Sequence, residues 1–536
     1  MTPGQPATTT RRAPAFPIRH DGPLTYLGPL PHPDAPGCAD CAESARREVT
    51  ARPADPAVVA PALALAVRAV RKAVTTDALY SVDTTTGRVR GHRVGHRPEC
   101  PAGAPAPASV PTRAVPGTLR VPNPGTALPA LRAELVDERH GPITSVSRVD
   151  SPLPLAVVSA ELGGSRQAGV GRTGDFAAAE RVALLEALER RCGIGVGANA
   201  VITASLAELG PDALDPRLLG LHPDAAYDSG ELTRFAPDQP IRWVHGWDHS
   251  AGRAIAVPEQ VAFWGAPGPR FLRETSSGCG LGGSREEAAL HGFFECAERD
   301  AFLMAWYTRA PLPRLRVPAR EGFVPHLDDR MADLGYRARY FDATNDLGVP
   351  TVLAWAEHRG GPAPAAFFAA GAHPDPATAL RSAAAELALC VVGAAEQARH
   401  NPHLYDRARL LPMLDNPDLV RTMDDHVALY GLPEAAPAYT FLREGPTVDL
   451  PAPPPWLADG PSLPDLLTHY ADHLRPLNLP LFSVDQSDPT PRSRLGLWST
   501  KVIIPGTLPM TFGHRFRRLT NLPRLHATHT LPHPFP

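Results

Sequence analysis

The chain has 536 residues, 43% of them hydrophobic, so it can bury a large core and is long enough for roughly two to four domains, or one large domain with an appendage. Its 53 basic and 56 acidic residues give a net charge of -3, which leaves no general electrostatic case for nucleic acid or an anionic membrane as the main partner. Seven cysteines at wide, irregular spacing exclude a disulfide-dense secreted scaffold, and 63 prolines announce many punctuated loops.

Residues 1–20 carry arginines but no apolar run of a secretory signal, so they read as a disordered tail and the expected location is cytoplasmic. Ala57–Val67 is the most apolar early stretch; it is too short to span a bilayer and reads as a helix packed on protein. Residues 21–103 form a small unit with helix-like segments to about Tyr80 and a strand-like YSVDTTTGRVRGHRV. Cys38 and Cys41 form a C-x-x-C pair in GCADC, and Cys100 sits in RPECPAG. A structural zinc site wants four ligands, typically as two such knuckles. Here the second knuckle is Cys100 and Gly103, so a ligand is missing. His96 or His92 is the available substitute, though neither has knuckle spacing. Zinc on Cys38, Cys41 and Cys100 is one reading, and a decayed site held by packing is the other. Residues 104–129 are rich in Pro, Ala and Gly and read as a linker of polyproline character.

From residue 130 to 536 short β-like stretches (PLAVVSA, IRWVHGW, AIAVPEQVAFW, GVPTVLAWAE, AAFFAAG) alternate with longer helical ones at 177–191, 285–307 and 376–394. That mixture argues α+β or α/β. Two helices carry the chemistry. In FAAAERVALLEALERRCG, Glu186 and Glu189 are three apart and share a face, after Gly169 and Gly171. In SREEAALHGFFECAERDAFL, Glu295 and Glu298 repeat the spacing, with Arg299 next, Glu287 in the first turn, Ser284 as a cap and Gly278–Gly283 before it. Carboxylates converging after glycine-rich turns suit Mg2+, a hard cation that commonly bridges phosphates. Each copy alone is more ordinarily a solvated, locally ion-paired face. A third helix carries Arg381 and Glu386 after Gly371, and its arginine suits a bidentate phosphate contact. Neither glycine run is a P-loop, because neither has the lysine. Only Lys72 and Lys501 are lysines, so an anion site must rely mostly on arginine or backbone N–H groups. Cys192, Cys279, Cys296 and Cys390 read as small core residues rather than nucleophiles. The terminal HTLPHPFP places prolines at alternating positions, which makes either a stiff arm carrying the carboxylate of Pro536 or a frayed tail.

These motifs, in this order, resemble a YcaO-domain cyclodehydratase of azole-peptide (thiopeptide or linear azole peptide) biosynthesis over about residues 130–536. Gly169–Arg190 is similar to its first motif, Thr275–Asp300 to its second and Gly371–Glu386 to its third. MDDHVALY, PGTLPMTFG and the PHPFP end are also family-like, the last resembling the PxPxP terminus of azoline-forming members. About residues 22–103 resemble the zinc-knuckle end of the ThiF-like partner protein. The sequence departs from the family at Val170 (often Lys), Ser277 (often Asn), Gly283 (often polar), Leu389 (often Gln) and Gly103 (the fourth cysteine).

The resemblance implies an α+β fold, with a large YcaO-like domain of mixed sheets and packed helices beside a small zinc-binding module. It implies ATP-dependent cyclodehydration of Cys, Ser or Thr in a ribosomally made precursor peptide to thiazoline or oxazoline, through phosphorylation of the backbone amide oxygen. Glu186, Glu189, Glu295 and Glu298 would hold Mg2+. Glu287 and Glu386 would join them or position ATP, Arg299 and Arg381 would meet phosphate, and the carboxylate of Pro536 would orient the amide or assist proton transfer. Implied partners are a separate ThiF-like leader-binding protein and a flavin-dependent azoline dehydrogenase, with the chain itself a homodimer. The alternatives are thioamide or amidine formation, or a catalytically weak scaffold or substrate-binding subunit.

Overall fold

In the computed structural model, which describes residues 18–29, 38–46, 64, 78–95, 100, 111–165, 167–197, 199–273, 275–318, 322–360 and 364–535, the N-terminal unit is an antiparallel sheet. Its strands are β1 (Ile18–Asp21) and β2 (Leu24–Leu27), then, after helix α1 (Ala39–Ala45), β3 (Ala78–Asp83) and β4 (Val89–Arg93), paired in that order. The last two are the expected hairpin. Its turn is closed by the Asp83 carboxylate, which accepts from the N–H of Thr85 and Thr86, and by Gly87 at φ +72°. Tyr26, Leu79 and Val94 pack with Cys41 and Ala42 of α1. Strand β1 begins inside the stretch expected as a tail, whereas residues 1–17 and all of Ala57–Val67 except Ala64 lie outside the described residues.

The expected linker, 104–129, is described from Pro111 onward, and there it is packed. Ala114, Leu119 and Val121 are buried in a cluster with Phe293 and Leu463, and Arg113 bridges to Ser462. Composition flagged the prolines and glycines, but a few well-spaced apolar residues decided the placement.

The large unit opens with α2 (Leu128–Leu135) and an antiparallel sheet of β5 (Ile143–Val149), β6 (Ala156–Leu162) and β7 (Ala168–Thr173), covered by α3 (Phe176–Cys192). After β8 (Val201–Ala204), β9 (Ile241–Asp248) and β10 (Arg253–Pro258), strand β11 (Cys279–Gly282) feeds α4 (Arg285–Thr308). Next come β12 (Arg314–Arg316), α5 (Phe323–Asp333), β13 (Tyr336–Asp342), β14 (Thr351–His358) and β15 (Ala366–Ala372), which feeds α6 (Pro376–His400). The last elements used below are β16 (Thr447–Asp449), α7 (Leu463–Leu474), β17 (Phe482–Asp485) and β18 (Trp498–Ile503). One sheet has the order β10-β9-β17-β18-β11 with β8 on β9, and the other β15-β14-β13-β12-β16. Pairing is antiparallel except between β12 and β16. Sheets of this kind packed with helices make the expected α+β class.

Three strand–helix units (β7–α3, β11–α4, β15–α6) share one construction. Asp175, Ser284 and Asp375 cap the helices by accepting from the N–H of Ala178, Glu287 and Ala377. The glycines before each helix were expected in turns; those that matter lie in the strands. A Cβ on Gly171 would stand 1.7 Å from the carbonyl oxygen of Ala179, one on Gly280 2.1 Å from that of Ala288, and one on Gly371 2.5 Å from that of Ala379. Their role is close approach of strand to helix, with Ala179, Ala288 and Ala379 as the matching small residues. Pro376–Ala394 of α6 is long and apolar enough to cross a membrane by length and composition. In this fold its apolar face, with Leu380, Ala383, Ala384, Leu387 and Ala388, is buried against Val352, Ala354, Phe367 and Ala369 of β14 and β15.

Candidate active site

The three units point their helices at one place. Glu186 of α3 accepts from the backbone N–H of Val170 in β7, at 2.7 Å. Glu295 of α4 accepts from the N–H of Gly278, just before β11, at 2.8 Å. Glu298 accepts from the N–H of Ala372 at the end of β15, at 3.0 Å. Each bond fixes one carboxylate oxygen, as outer-shell partners orient metal ligands, and the other oxygen lies toward an arginine: Arg190 for Glu186, and Arg299 for Glu295 and Glu298.

The carboxylates crowd one another. Glu189 is held well above its ordinary range by burial first, then by the charges of Glu295 and Glu186. Glu298 is pushed up to about 7 by burial, opposed by Arg299 and reinforced by Glu386 and Glu295. Helices α3, α4 and α6 therefore bring Glu186, Glu189, Glu295, Glu298 and Glu386 together. Buried like charges of this kind call for a cation, and an all-oxygen donor set suits Mg2+.

Arginines edge the cluster. Arg190 donates to Glu186 at 2.7 Å, and Arg299 lies 3.5 Å from Glu295 and 3.8 Å from Glu298. Arg172, two residues beyond Val170 in β7, lies 3.6 Å from Glu386, and the charges of Glu386 and Glu186 hold its guanidinium in the protonated form against burial. Sequence reasoning missed Arg172; the signal was an arginine on the strand face shared with position 170.

Two expected site residues have other partners than the five glutamates. Glu287 is 3% exposed and is spent on structure: it accepts from Arg120 at 2.9 Å and from the N–H of Val121 at 2.9 Å, which fastens the 111–129 segment to α4. Its partner Arg120 also acts on Glu189, so Glu287 borders the cluster through that arginine. Arg381 lies in the second turn of α6, bonded to Thr378 at 3.2 Å and 3.7 Å from Asp375, five residues before Glu386. Pro536 lies outside the described residues. The residues before it form a buried strap rather than a frayed tail. Trp306 donates to the Leu531 carbonyl at 3.2 Å, Tyr430 donates to that of Pro532, and His426 pairs with that of His533 at 2.8 Å. Phe535 is fully buried, its ring edge-on to Phe302 and 4.1 Å beneath the Arg299 guanidinium. Asp300, also fully buried, takes two bonds from Arg524 and one from the N–H of Leu508, so it anchors the PGTLPM loop.

The thiols behave as core groups. Burial pushes Cys192, Cys279 and Cys390 up to about 12, which removes thiolate chemistry at neutral pH. In the N-terminal unit, the Cys38 sulfur lies 3.5 Å from that of Cys41 and 3.9 Å from that of Cys100. Zinc–sulfur bonds of about 2.3 Å place tetrahedral sulfurs roughly 3.8 Å apart, so the three fit a zinc ion. His92 is not the fourth ligand: it is bonded to Ser81 at 2.6 Å and Asp137 at 2.8 Å. Gly103 and His96 lie outside the described residues.

Residues 170–508 match the family described as YcaO cyclodehydratase, ATP- and Mg2+-binding. The chain belongs to the YcaO family. It is thus an ATP- and Mg2+-binding YcaO cyclodehydratase, and its matched span holds all five converging glutamates. An uncharacterized protein in the tfuA 3' region of Rhizobium leguminosarum bv. trifolii is 27% identical over 321 residues, 54% of this chain and 70% of that protein. An uncharacterized protein of Methanothermobacter thermautotrophicus is 26% identical over 252 residues, 46% of this chain and 63% of the other. A heterocyclase solved in complex with substrate and cofactor has a TM-score of 0.70 and 21% identity, covering 95% of this chain and 74% of that one. The heterocyclase TruD follows at 0.61 and 20%, covering 95% and 72%. Both likenesses extend the shared fold beyond the YcaO domain, into the N-terminal unit.

Proposed function

We propose that this YcaO protein forms thiazolines or oxazolines from Cys, Ser or Thr in a ribosomally made precursor peptide, by phosphorylating the backbone amide oxygen. The observation that carries the reading is the convergence of Glu186, Glu189, Glu295, Glu298 and Glu386 from three helices. Glu186, Glu189, Glu295 and Glu298 would hold magnesium, with Glu386 beside them. When bound, magnesium neutralises the nucleotide phosphates during in-line attack. Arg299 and Arg172 stand ready at the edge as charge-assisted donors to phosphate oxygens. The strap places Phe535 against Arg299, and the carboxylate of Pro536 would orient the amide or move a proton. The attacking side chain closes the ring on the preceding carbonyl carbon, the resulting oxyanion takes the γ-phosphoryl group with ADP leaving, and loss of phosphate together with the amide proton forms the C=N bond of the azoline.

In this reading the N-terminal unit up to residue 103 corresponds to the zinc-bearing end of a ThiF-like protein. The precursor's leader would be held by a separate ThiF-like protein, a flavin-dependent dehydrogenase would oxidise the azoline, and the setting would be cytoplasmic with the chain as a homodimer.

The test combines purified protein, leader-binding partner, precursor peptide and Mg-ATP. Each ring formed lowers the peptide mass by about 18 Da with release of one phosphate, because one water leaves per activated amide. Phosphate release without any change in peptide mass would refute azoline formation.

A further inference from the structure

Beside Arg299 lies a cavity of about 50 Å3 between the Thr275–Ser277 segment, β18 and the loop that follows it. Its charged lining is Arg299, Lys501 and Arg518. Lys501 is 3% exposed, and its ammonium donates to the carbonyl oxygens of Thr275 and Ser277, each at 2.7 Å. Arg518 is 5% exposed, and it donates to the carbonyl oxygens of Gly220, at 3.1 Å, and Leu219. Carbonyl dipoles are the only hydrogen-bond partners of these two cations among the described residues. An ammonium has three N–H donors and a guanidinium five, so both keep donors in hand.

Two buried cations without a carboxylate at ion-pair distance are costly, since carbonyl dipoles compensate a full charge only in part. Burial pulls the Arg518 guanidinium down to about 10, against an opposing pull from Tyr227. An anion in the cavity would supply the missing charge. At roughly 10–15 Å3 of such space per water, the cavity holds about three to five waters or an oxyanion of about five heavy atoms, and nothing as large as a nucleotide.

We propose that this cavity binds inorganic phosphate, the product released next door when the phosphorylated amide eliminates. The assignment to product rests on the phosphoryl-transfer reading of the carboxylate cluster. Arg299 is common to both: it pairs with Glu295 and Glu298 and also lines the cavity. Lys501 also ties the segment carrying Gly278, whose N–H orients Glu295, so an occupied cavity would brace the cluster.

The full chain is titrated with inorganic phosphate alone, without nucleotide or Mg2+, by calorimetry. The expected result is one saturable site per chain, weakened at least tenfold in Lys501→Gln and in Arg518→Gln. Lys501→Arg and Arg518→Lys, which keep the charge, should keep binding within threefold; circular dichroism and melting profiles establish which variants are folded. Mg-ATP binding is measured on the same samples and should stay within twofold of wild type in the folded Arg518 variants, since Arg518 bonds to the carbonyl oxygens of Leu219 and Gly220 and not to the segment that orients Glu295. Absence of saturable phosphate binding, or equal affinity in the folded Gln variants, overturns the proposal. Wild-type protein that binds phosphate but not Mg-ATP would instead overturn the reading of the carboxylate cluster, while the cavity keeps its anion.

Discussion

Glu298 on α4 accepts a 3.0 Å hydrogen bond from the backbone N–H of Ala372, the last residue of β15. This bond joins the second strand–helix unit to the third, and it holds a carboxylate in a place where burial and its neighbours resist its charge. Function and stability therefore pull apart at this residue. Glu298→Gln and Glu189→Gln are expected to reduce turnover by about a hundredfold or more, as loss of preorganised charge does. Their metal-free melting temperatures should equal or exceed that of wild type, because a buried like charge has been removed. Phosphate-release assays and thermal melts on the same preparations check both halves.

Gly171 and Gly164 separate two meanings of glycine. Gly171→Ala drives a Cβ into the Ala179 carbonyl across the β7–α3 contact, whereas Gly164→Ala meets open space and strains only a φ of +74°. Chemical denaturation should show a loss of about 3 kcal/mol for the first, from overpacking, and about 1 kcal/mol for the second, from the left-handed backbone. The first should also disturb Mg-ATP binding, since Glu186 is oriented by the N–H of Val170 next to Gly171.

Much of this arrangement was legible in the chain. Regular helical spacing placed Glu186 with Glu189 and Glu295 with Glu298, and β-like stretches announced β6, β9, β10, β14 and β15. What stayed hidden depended on contacts far apart in sequence. Glu287 looked like a sixth ligand until Arg120 and Val121, more than 160 positions upstream, were seen to claim it. Lys501 carried a local signal, a lone lysine in the apolar run LWSTKVII, but its carbonyl partners lie more than 220 residues away. The glycines were misread as turns because glycine serves turning and close approach alike, and only the facing alanine backbone tells which.

The cysteine cluster predicts a metal content. Protein prepared without chelators should carry close to one zinc per chain by elemental analysis, as a structural site does. Cys100→Ser should lower occupancy strongly and soften the N-terminal sheet, since Cys38, Cys41 and Cys100 share a cluster with Tyr26, Leu79 and Val94. Mg-ATP binding, which belongs to α3, α4 and α6, should be retained. Trace zinc in wild-type protein would mark the cluster as held by packing alone.

Buried histidines around the C-terminal strap set an acid limb of stability. Burial lowers His426 to about 4. Burial together with Arg518 lowers His222 to about 3, and burial with Arg517 and His426 lowers His514 to about 3. His426 has a ring nitrogen accepting from the N–H of Gly513, and His222 one accepting from the N–H of Arg273, so both are neutral by construction. The unfolded chain titrates near 6.5 and so binds more protons than the folded one between that pH and the lowered values. Stability should rise with pH across that window and level off above about pH 7. Denaturation midpoints from pH 4 to 8 check the slope, and His222→Gln should flatten it.

The strap makes a sharper kinetic prediction. Phe535 fills a fully buried place between Phe302 and the Arg299 guanidinium, and His426 and Tyr430 hold the backbone just before it. Deleting residues 532–536 removes those contacts but none of the glutamates. Cyclisation should slow by about a hundredfold or more, in keeping with misplacement of a positioning group by an ångström or so. The dissociation constant for Mg-ATP should move by less than threefold. Phe535→Ala, which keeps the terminal carboxylate but loosens its support, should fall between wild type and the deletion in kcat. Single-turnover kinetics beside equilibrium nucleotide binding separate the two effects, and equal damage to both would mean that the strap serves the fold and not the reaction.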